Sequence, residues 1–576
     1  MSDTEREGPG LPQPSSGAVA AGTIDAPADP APATGGPPPQ DWPLPRRLAG
    51  AGLVAAAGLL LFVCYLRMSS TVPSNSDGAS NALQAWDMLH GNLLLRGWHL
   101  SDVSFYTTEL PEYMLVEAVH GLGAGVVHAG AALTYTLLVL LAAALAKGRA
   151  TGVEAWTRML LAGGLLLAPQ LGVGTQVLIL SPDHVGTAVP VLVTWLLLDR
   201  AGRRRWVPPV VGLLLAWTLA ADAIVLYIGI FPLLAVSLAR AYRQVMPSQP
   251  GGATPRNPPQ SGRPISHAWF ELSLAAAALA ATVAGLKLPG VIHALGGYSV
   301  TPAPQSFALV TQMPTRVWQV LGGVLLLFGA DFFGLRLSFG TGLVLLHLAG
   351  VALAAWGVCA GVRRFLRDND LVVQLLVVGA ITVVAAYLFA RGGGQVGYSH
   401  EMAPALPFAA VLAGRLLAGR LICARLLPVA AVVLLGYALT LAGNAAQRPA
   451  PDADPGLTSF LAAHHLRYGL SGYWQADEIT LATGGAIAVR DVQVNPHGLA
   501  PGLWESQESW YDPRLHDANF VLLFAGRPGF LGEAGLTPFS AAAQIADSFG
   551  RPAVAYRVGR YTVLVWRQNL LRRLQA

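Results

Sequence analysis

Charge is what this chain has least of. Only 12% of its 576 residues are Asp, Glu, Lys or Arg, and 53% are hydrophobic. Soluble domains average about 25% charged. A mean hydropathy of +0.49 over this length therefore excludes a soluble globular protein and implies a polytopic α-helical membrane protein. Cysteine is equally scarce: Cys64, Cys359 and Cys423. The first two fall in expected membrane spans and the third near a cytoplasmic helix end. That placement excludes a disulfide framework, and no cysteines cluster with zinc-ligand spacing. No Walker pattern implies nucleotide binding, and nothing points to a nucleic-acid partner. The absence of an internal repeat disfavours the repeat-built secondary transporters.

What is present is a series of apolar stretches. Spans are expected near 49–67, 127–146, 157–176, 184–199, 206–222, 223–240, 268–288, 341–361, 370–390, 403–419 and 426–445, about eleven helices, several near the short end of the spanning range. Residues 1–45, rich in Pro, Ala, Gly and Ser, cannot bury enough apolar surface to offset their ordering entropy and read as a disordered cytoplasmic tail. Basic residues partition to one side of the spans: Lys147, Arg149, Arg200, Arg203, Arg204, Arg205, Arg240, Arg243, Arg363, Arg364, Arg367, Arg415, Arg420 and Arg425, with Arg256 and Arg263 in the connector 244–266. The positive-inside rule then puts the N-terminus in the cytoplasm of a plasma-membrane protein. The odd span count puts the C-terminal region outside. Residues 317–330 are apolar, but counting them as a span would expel the Arg363, Arg364 and Arg367 cluster, so they read as an interfacial or re-entrant helix ending before Asp331.

The expected organisation is thus a tail over 1–45, a transmembrane domain over 46–448 with a long first outer loop at 68–126, and a small extracytoplasmic α/β domain over 449–576. In the first outer loop, 79–89 and 113–127 have helical periodicity with one apolar face. In the C-terminal region, 456–468 and 537–549 read as helices, and 486–494, 519–524, 553–558 and 561–566 as strands. Gly559-Arg560 forms a hairpin turn between the last two.

The polar residues suited to chemistry gather in the outer loops. Asp77 lies just past the first span. It can act as a general base on an attacking hydroxyl, or cap the helix that follows. Glu109 and Glu112 flank Pro111 at the start of the next helix, where acids also favour the helix dipole. Asp183 and His184 sit in a short outer turn. Such a pair can hold a divalent metal, Mg or Mn, or a lipid phosphate, and a Pro-Asp pair can equally just cap the next span. Asp222 occupies a tight outer turn close to hydrocarbon, an expensive place for an acid unless it faces a polar cavity. Gly392, Gly393 and Gly394 run on to His400 and Glu401, a loop permitting close backbone approach at a helix start, or simply a capped turn. Lys287 and Arg316 are the outer cations within reach of a phosphate.

The acid directly after the first span, the helical first outer loop, and the spacing of Asp77 and Glu109 together resemble the GT-C superfamily. These are polyprenyl-phosphate-dependent membrane glycosyltransferases, and the spacing is closest to the aminoarabinose and protein O-mannosyl transferase branches. The family's Asp-x-Asp pair is missing from the second outer loop, where Asp183-His184 stands alone. The resemblance implies transfer of a sugar from a polyprenyl-phosphate donor to a cell-envelope glycan, lipid or protein outside the membrane. Asp77 would be the base, Glu109 would orient the acceptor or share a metal, and configuration would invert. Glu112, Asp222, Lys287, Arg316, His400 and Glu401 would bind substrate, with Asp183 and His184 at the metal. The alternatives are a transporter or flippase of a lipid-linked precursor, which needs no base, and a non-catalytic envelope-assembly protein.

Overall fold

The computed structural model describes residues 44–180, 184–245, 264–302, 306–367, 369–390, 396–495, 498–525 and 538–574. The tail over 1–43, Asp183, most of the connector 244–266 and the Gly run at 391–395 lie outside these residues. Contacts divide the chain into Met1–Val54 and Ala55–Ala576. The first unit contributes the described start of α1 (Leu44–Ser69). The second holds the rest of α1 and every later element.

The first outer loop forms α2 (Ser76–Leu89), β1 (Trp98–Leu100) and α3 (Glu109–His120). The apolar series follows as α4 (Gly125–Lys147), α5 (Gly152–Leu165), α6 (Val173–Ile179), α7 (Val185–Ala201), α8 (Val207–Ala221) and α9 (Phe231–Val245). Then come α10 (Pro264–Ala294), β2 (Ser299–Val300), α11 (Met313–Leu327), α12 (Phe339–Arg364), α13 (Leu371–Phe389), α14 (Ala405–Cys423) and α15 (Leu427–Ala445). Among the described residues, eight helices are long and apolar enough to cross a membrane. Three expected spans take shorter helical form: α5 has 14 residues, α7 has 17 and α8 has 15. The stretch 157–176 is not one helix. It stops at Leu165, ahead of Pro169, which disfavours helical backbone in the residue before it. Residues 317–330 fall mostly in α11, which ends at Leu327, with Gly329 at φ +70.

Charged side chains sort to the ends of the bundle. The C-terminal ends of α4 and α7 and the start of α13 meet around Arg415 of α14. This residue pairs with Asp199 at 2.8 Å and Asp370 at 3.0 Å and donates to the Leu145 carbonyl at 2.8 Å. Arg203 pairs with Glu271 at 2.8 Å nearby on α10. Side chains such as Leu59, Leu60 and Leu213 are about two-thirds exposed, as expected of surfaces facing lipid tails.

The C-terminal region packs α16 (Pro455–Ala463), α17 (Tyr473–Ala482) and α18 (Pro538–Phe549) on a mixed sheet. Its strands are β3 (Tyr468–Ser471), β4 (Ala488–Asn495), β5 (Gly498–Pro501), β7 (Phe520–Phe524), β8 (Val554–Val558) and β9 (Tyr561–Val565), in the order β5-β4-β3-β7-β9-β8. β3 is parallel to both β4 and β7, and the Gly559-Arg560 turn closes the β8–β9 hairpin. The helix expected over 456–468 ends at Ala463, and Tyr468 opens the strand β3.

Two devices tie this region to the helices. The short strand β6 (Ser506–Gln507) joins β1 and β2 in a separate sheet, with His99 opposite both Ser506 and Ser299. The second is a buried polar relay of Ser69, His128 and Asp452. His128 contacts Ser69 Oγ through Nδ1 and Asp452 through Nε2, each at 2.8 Å. The Asp452 carboxyl is depressed: burial opposes its charge, but bonds from His128 and Ser74 outweigh that. As an anion it accepts from Nε2–H, so Nδ1 accepts from Ser69. Ser69 is fully buried, so no substrate reaches it and the relay is a clamp.

Candidate functional site

The structure gathers polar side chains into two centres at the end of the bundle away from Arg415. The first is built on Asp77. Helix α2 starts at Ser76, and Asn75 is its cap, its Oδ1 accepting from the Gly78 N–H at 2.9 Å. Asp77 is therefore not the cap, which corrects that expectation. It stands in the first turn, where the helix dipole favours its charge. The hydroxyl of Tyr473 lies 2.6 Å from Asp77 Oδ1 and 2.8 Å from Glu505 Oε2. Tyr473 opens α17, and its carbonyl accepts from Ser76 Oγ at 2.6 Å. Glu505 precedes β6, is buried and has φ +53. Such left-handed backbone costs a non-glycine residue about 1–3 kcal/mol. The adjoining β1–β6 pairing and a bond from Ser80 Oγ to the Glu505 carbonyl at 3.2 Å hold it there. Sequence reasoning missed both Tyr473 and Glu505 as partners of Asp77.

The second centre lies between α3, α4, α7 and the turn after α8. Asp222 accepts from Thr187 Oγ1 at 2.6 Å and from the Ile224 N–H at 2.9 Å, and its Oδ2 lies 2.7 Å from His184 Nδ1. The bonds from Thr187 and Ile224 favour the ionised form of this buried carboxyl, and His184 Nδ1 donates to it. His184, at φ +47, stacks on His400 with ring centroids 5.7 Å apart. Glu109 is buried; burial chiefly, with the charges of Asp222 and Glu112 adding, pushes its carboxyl up to about 8. Glu112 accepts from Thr134 at 2.8 Å and is pushed up to about 7, again by burial. Both acids keep one buried oxygen, Oε1, without a hydrogen-bond partner.

Those oxygens belong to residues that line a cavity of about 280 Å³. Its polar end is Thr107, Thr108, Glu109, Glu112 and Thr134, and its apolar wall includes Leu137, Val193 and Trp217. These three apolar side chains are 38%, 39% and 51% exposed on α4, α7 and α8, so the cavity opens toward the membrane. A Cβ added to Gly186, in the first turn of α7, would collide with the Glu109 carboxyl. Only glycine lets this acid lie against the helix.

Asp77 is not among the cavity-lining residues. The two centres are linked through α4. Gly78 packs against Val127, and Glu112 bonds Thr134, seven residues further along. Seven residues bring α4 back to the same face about 10 Å along its axis. The structure thus brings Glu109, Glu112, Asp222, His184 and His400 together and sets Asp77 above them with Tyr473 and Glu505.

The remaining expected residues lie apart. Arg316 is buried on α11, bonding Gln319 at 3.1 Å and the Tyr387 carbonyl, and stacking over the Tyr387 ring. Glu401 follows His400 in a 3-10 segment, Val396–Met402. Lys287 is exposed on α10, with no hydrogen bond or ion pair among the described residues. Asp183 lies outside those residues. His184, backed by a carboxylate on Nδ1, has the arrangement of a metal-ligating histidine. Among the described residues, however, no three His, Cys, Asp or Glu side chains group as a metal ion requires.

No protein-family model matches the chain, and no curated protein matches it. Solved structures do. One is ArnT from Cupriavidus metallidurans in the apo state, at 13% identity and TM-score 0.49, covering 92% of this chain and 100% of that one. The same protein bound to undecaprenyl phosphate matches at 14% identity and TM-score 0.48, covering 90% and 98%. The archaeal oligosaccharyltransferase AglB from Archaeoglobus fulgidus, in complex with an inhibitory peptide and a dolichol-phosphate, matches at 14% and 0.42, covering 84% and 70%. With these scores below 0.5, the likenesses decide nothing about chemistry, which rests on the side chains themselves.

Proposed function

We propose that the chain is a GT-C-type glycosyltransferase. It moves a sugar from a polyprenyl-phosphate donor to an acceptor hydroxyl at the outer face of the membrane, with the N-terminus cytoplasmic and the C-terminal region outside. The observation that carries this reading is the membrane-facing cavity. Its outer wall suits an apolar chain, and its inner end offers hydroxyls and two carboxyls with unpaired buried oxygens. At neutral pH Glu109 is largely protonated, so it serves as a hydrogen-bond donor to a polar head and not as a base.

Asp77 fits the base. Its carboxylate takes the proton of the acceptor hydroxyl as that oxygen bonds to the anomeric carbon. The bond from that carbon to the phosphate oxygen breaks, and the lipid phosphate leaves with the electron pair. A single displacement of this kind inverts the anomeric centre. Protonated at Nε2 as well, His184 would donate to the leaving phosphate, with His400 stacked beside it.

The test uses the full chain in vesicles supplied with polyprenyl-phosphate sugars and envelope glycan. Val193→Trp, which fills the cavity from its lipid side, is expected to lower transfer about tenfold, the effect of losing roughly 1.4 kcal/mol of binding. No transfer by the wild type across a panel of donors would overturn the reading and favour a transporter or scaffold.

A further inference from the structure

Tyr473 sets a proton-counting problem. Its hydroxyl has a single hydrogen, yet two carboxyl groups lie at 2.6 Å and 2.8 Å from its oxygen. If both carboxyls were ionised, one contact would set a lone pair against an anion in a buried site, a costly arrangement. Both contacts are favourable only if one carboxyl carries a proton and donates it to the Tyr473 oxygen while Tyr473 donates to the other.

Burial decides which carboxyl holds it. Glu505 is 4% exposed. Asp77 is half-buried in the first turn of α2, where the helix N-terminus favours an anion. The charged neighbours agree. Glu505 faces Asp77 from α2 and Asp477 from α17, both acidic, and the Ser101 hydroxyl. Among the described residues, Arg490 lies against Asp477 at 3.8 Å. Burial first, then the Asp77 charge, raises Glu505 to about 8. Tyr473 is itself held well above its ordinary range by burial and by both acids, so it keeps its hydrogen throughout.

We infer that Glu505 and Tyr473 form a hydrogen-bond relay, Glu505 acid to Tyr473 hydroxyl to Asp77 carboxylate, that positions Asp77 as the base. Glu505 is a positioning residue: it acts through Tyr473, and it arrives from the C-terminal region on the register of β6. The relay is complete only while Glu505 is protonated. As pH rises and Glu505 ionises, Tyr473 has two anions to serve with one hydrogen, and Asp77 loses its fixed orientation. The relay's role rests on the reading of Asp77 as base. Its existence does not.

Infrared spectroscopy of the intact protein separates the two. A protonated carboxylic C=O band that shifts in heavy water and is lost in Glu505→Gln is expected at pH 7. It should titrate away above pH 8, and at lower pH in Asp77→Asn, where the neighbouring charge is gone. Absence of a Glu505 band at pH 7 would overturn the relay. Should Glu505→Gln fail to fold, Tyr473→Phe serves: the Glu505 band should move to higher frequency on losing its partner, and an unmoved band overturns the inference. In the transfer assay, Glu505→Gln mimics the protonated acid at every pH, its amide donating to Tyr473. Its activity should therefore persist further into the alkaline range than the wild type's. A Glu505→Gln profile with the wild-type alkaline fall would remove the positioning role even with the band present. A wild type with no transfer at all would sink the glycosyltransferase reading while the band still judged the relay.

Discussion

Glu109 has a carboxyl that both burial and neighbouring acids oppose. Folding raises it from its ordinary 4.5 to about 8. Between those values the folded protein holds a proton that the unfolded chain has released, so stability falls as pH rises. The contribution is complete below about pH 4.5 and lost as pH passes about 8. Glu117, pushed to about 9 by burial, and Asp491, pushed to about 8, act in the same direction. The protein should therefore unfold at lower temperature at pH 9 than at pH 6. Glu109→Gln, which cannot ionise, should reduce that difference measurably in thermal melts of the purified protein. An identical pH dependence in wild type and Glu109→Gln would contradict the placement of this acid.

Among the elements, helix contacts rest on small residues. At Gly357 on α12, an added Cβ would meet the backbone nitrogen of Ala413 on α14 at 2.6 Å and its Cα at 2.8 Å. Backbone cannot yield as a side chain can, so Gly357→Ala must push the two helices apart. A loss of about 1–3 kcal/mol is expected, the usual cost of overpacking, read as a lower unfolding temperature in detergent. An unchanged temperature would mean that α12 and α14 do not approach this closely. The apolar runs and the helices of the first outer loop were legible because their periodicity is local: 79–89 and 113–127 anticipate α2 and α3, though α3 starts earlier, at Glu109, and ends at His120. The strand β3 was not legible. Its Tyr-Gly-Leu-Ser sequence is short, lies mid-sheet between parallel neighbours and lacks the polar alternation of an exposed strand. Glu505 was hidden for a different reason. Its link to Asp77 runs through Tyr473, 396 positions from Asp77, and no local pattern encodes a contact at that separation. The cluster of Asp222, His184 and Glu109 was foreseen as separate candidates, but nothing in their spacing said which of them would meet.

Arg415 and Arg203 pair with Asp199, Asp370 and Glu271 at one end of the bundle, and Glu109, Glu112, Asp222 and His184 meet at the other. In the proposed function Asp77, where the C-terminal region meets the first outer loop, is the residue on which the account turns. Asp77→Asn tests it most directly. Asn75 still caps α2, and the asparagine oxygen can still accept from Tyr473, so the fold should persist while the proton acceptor is lost. The measurement is transfer of labelled sugar from polyprenyl-phosphate donors to envelope glycan, by wild type and Asp77→Asn at matched protein levels. The account expects transfer by the wild type and a fall of roughly 10²–10⁴-fold in the variant, the usual worth of general-base catalysis. Equal transfer by the two proteins would contradict it.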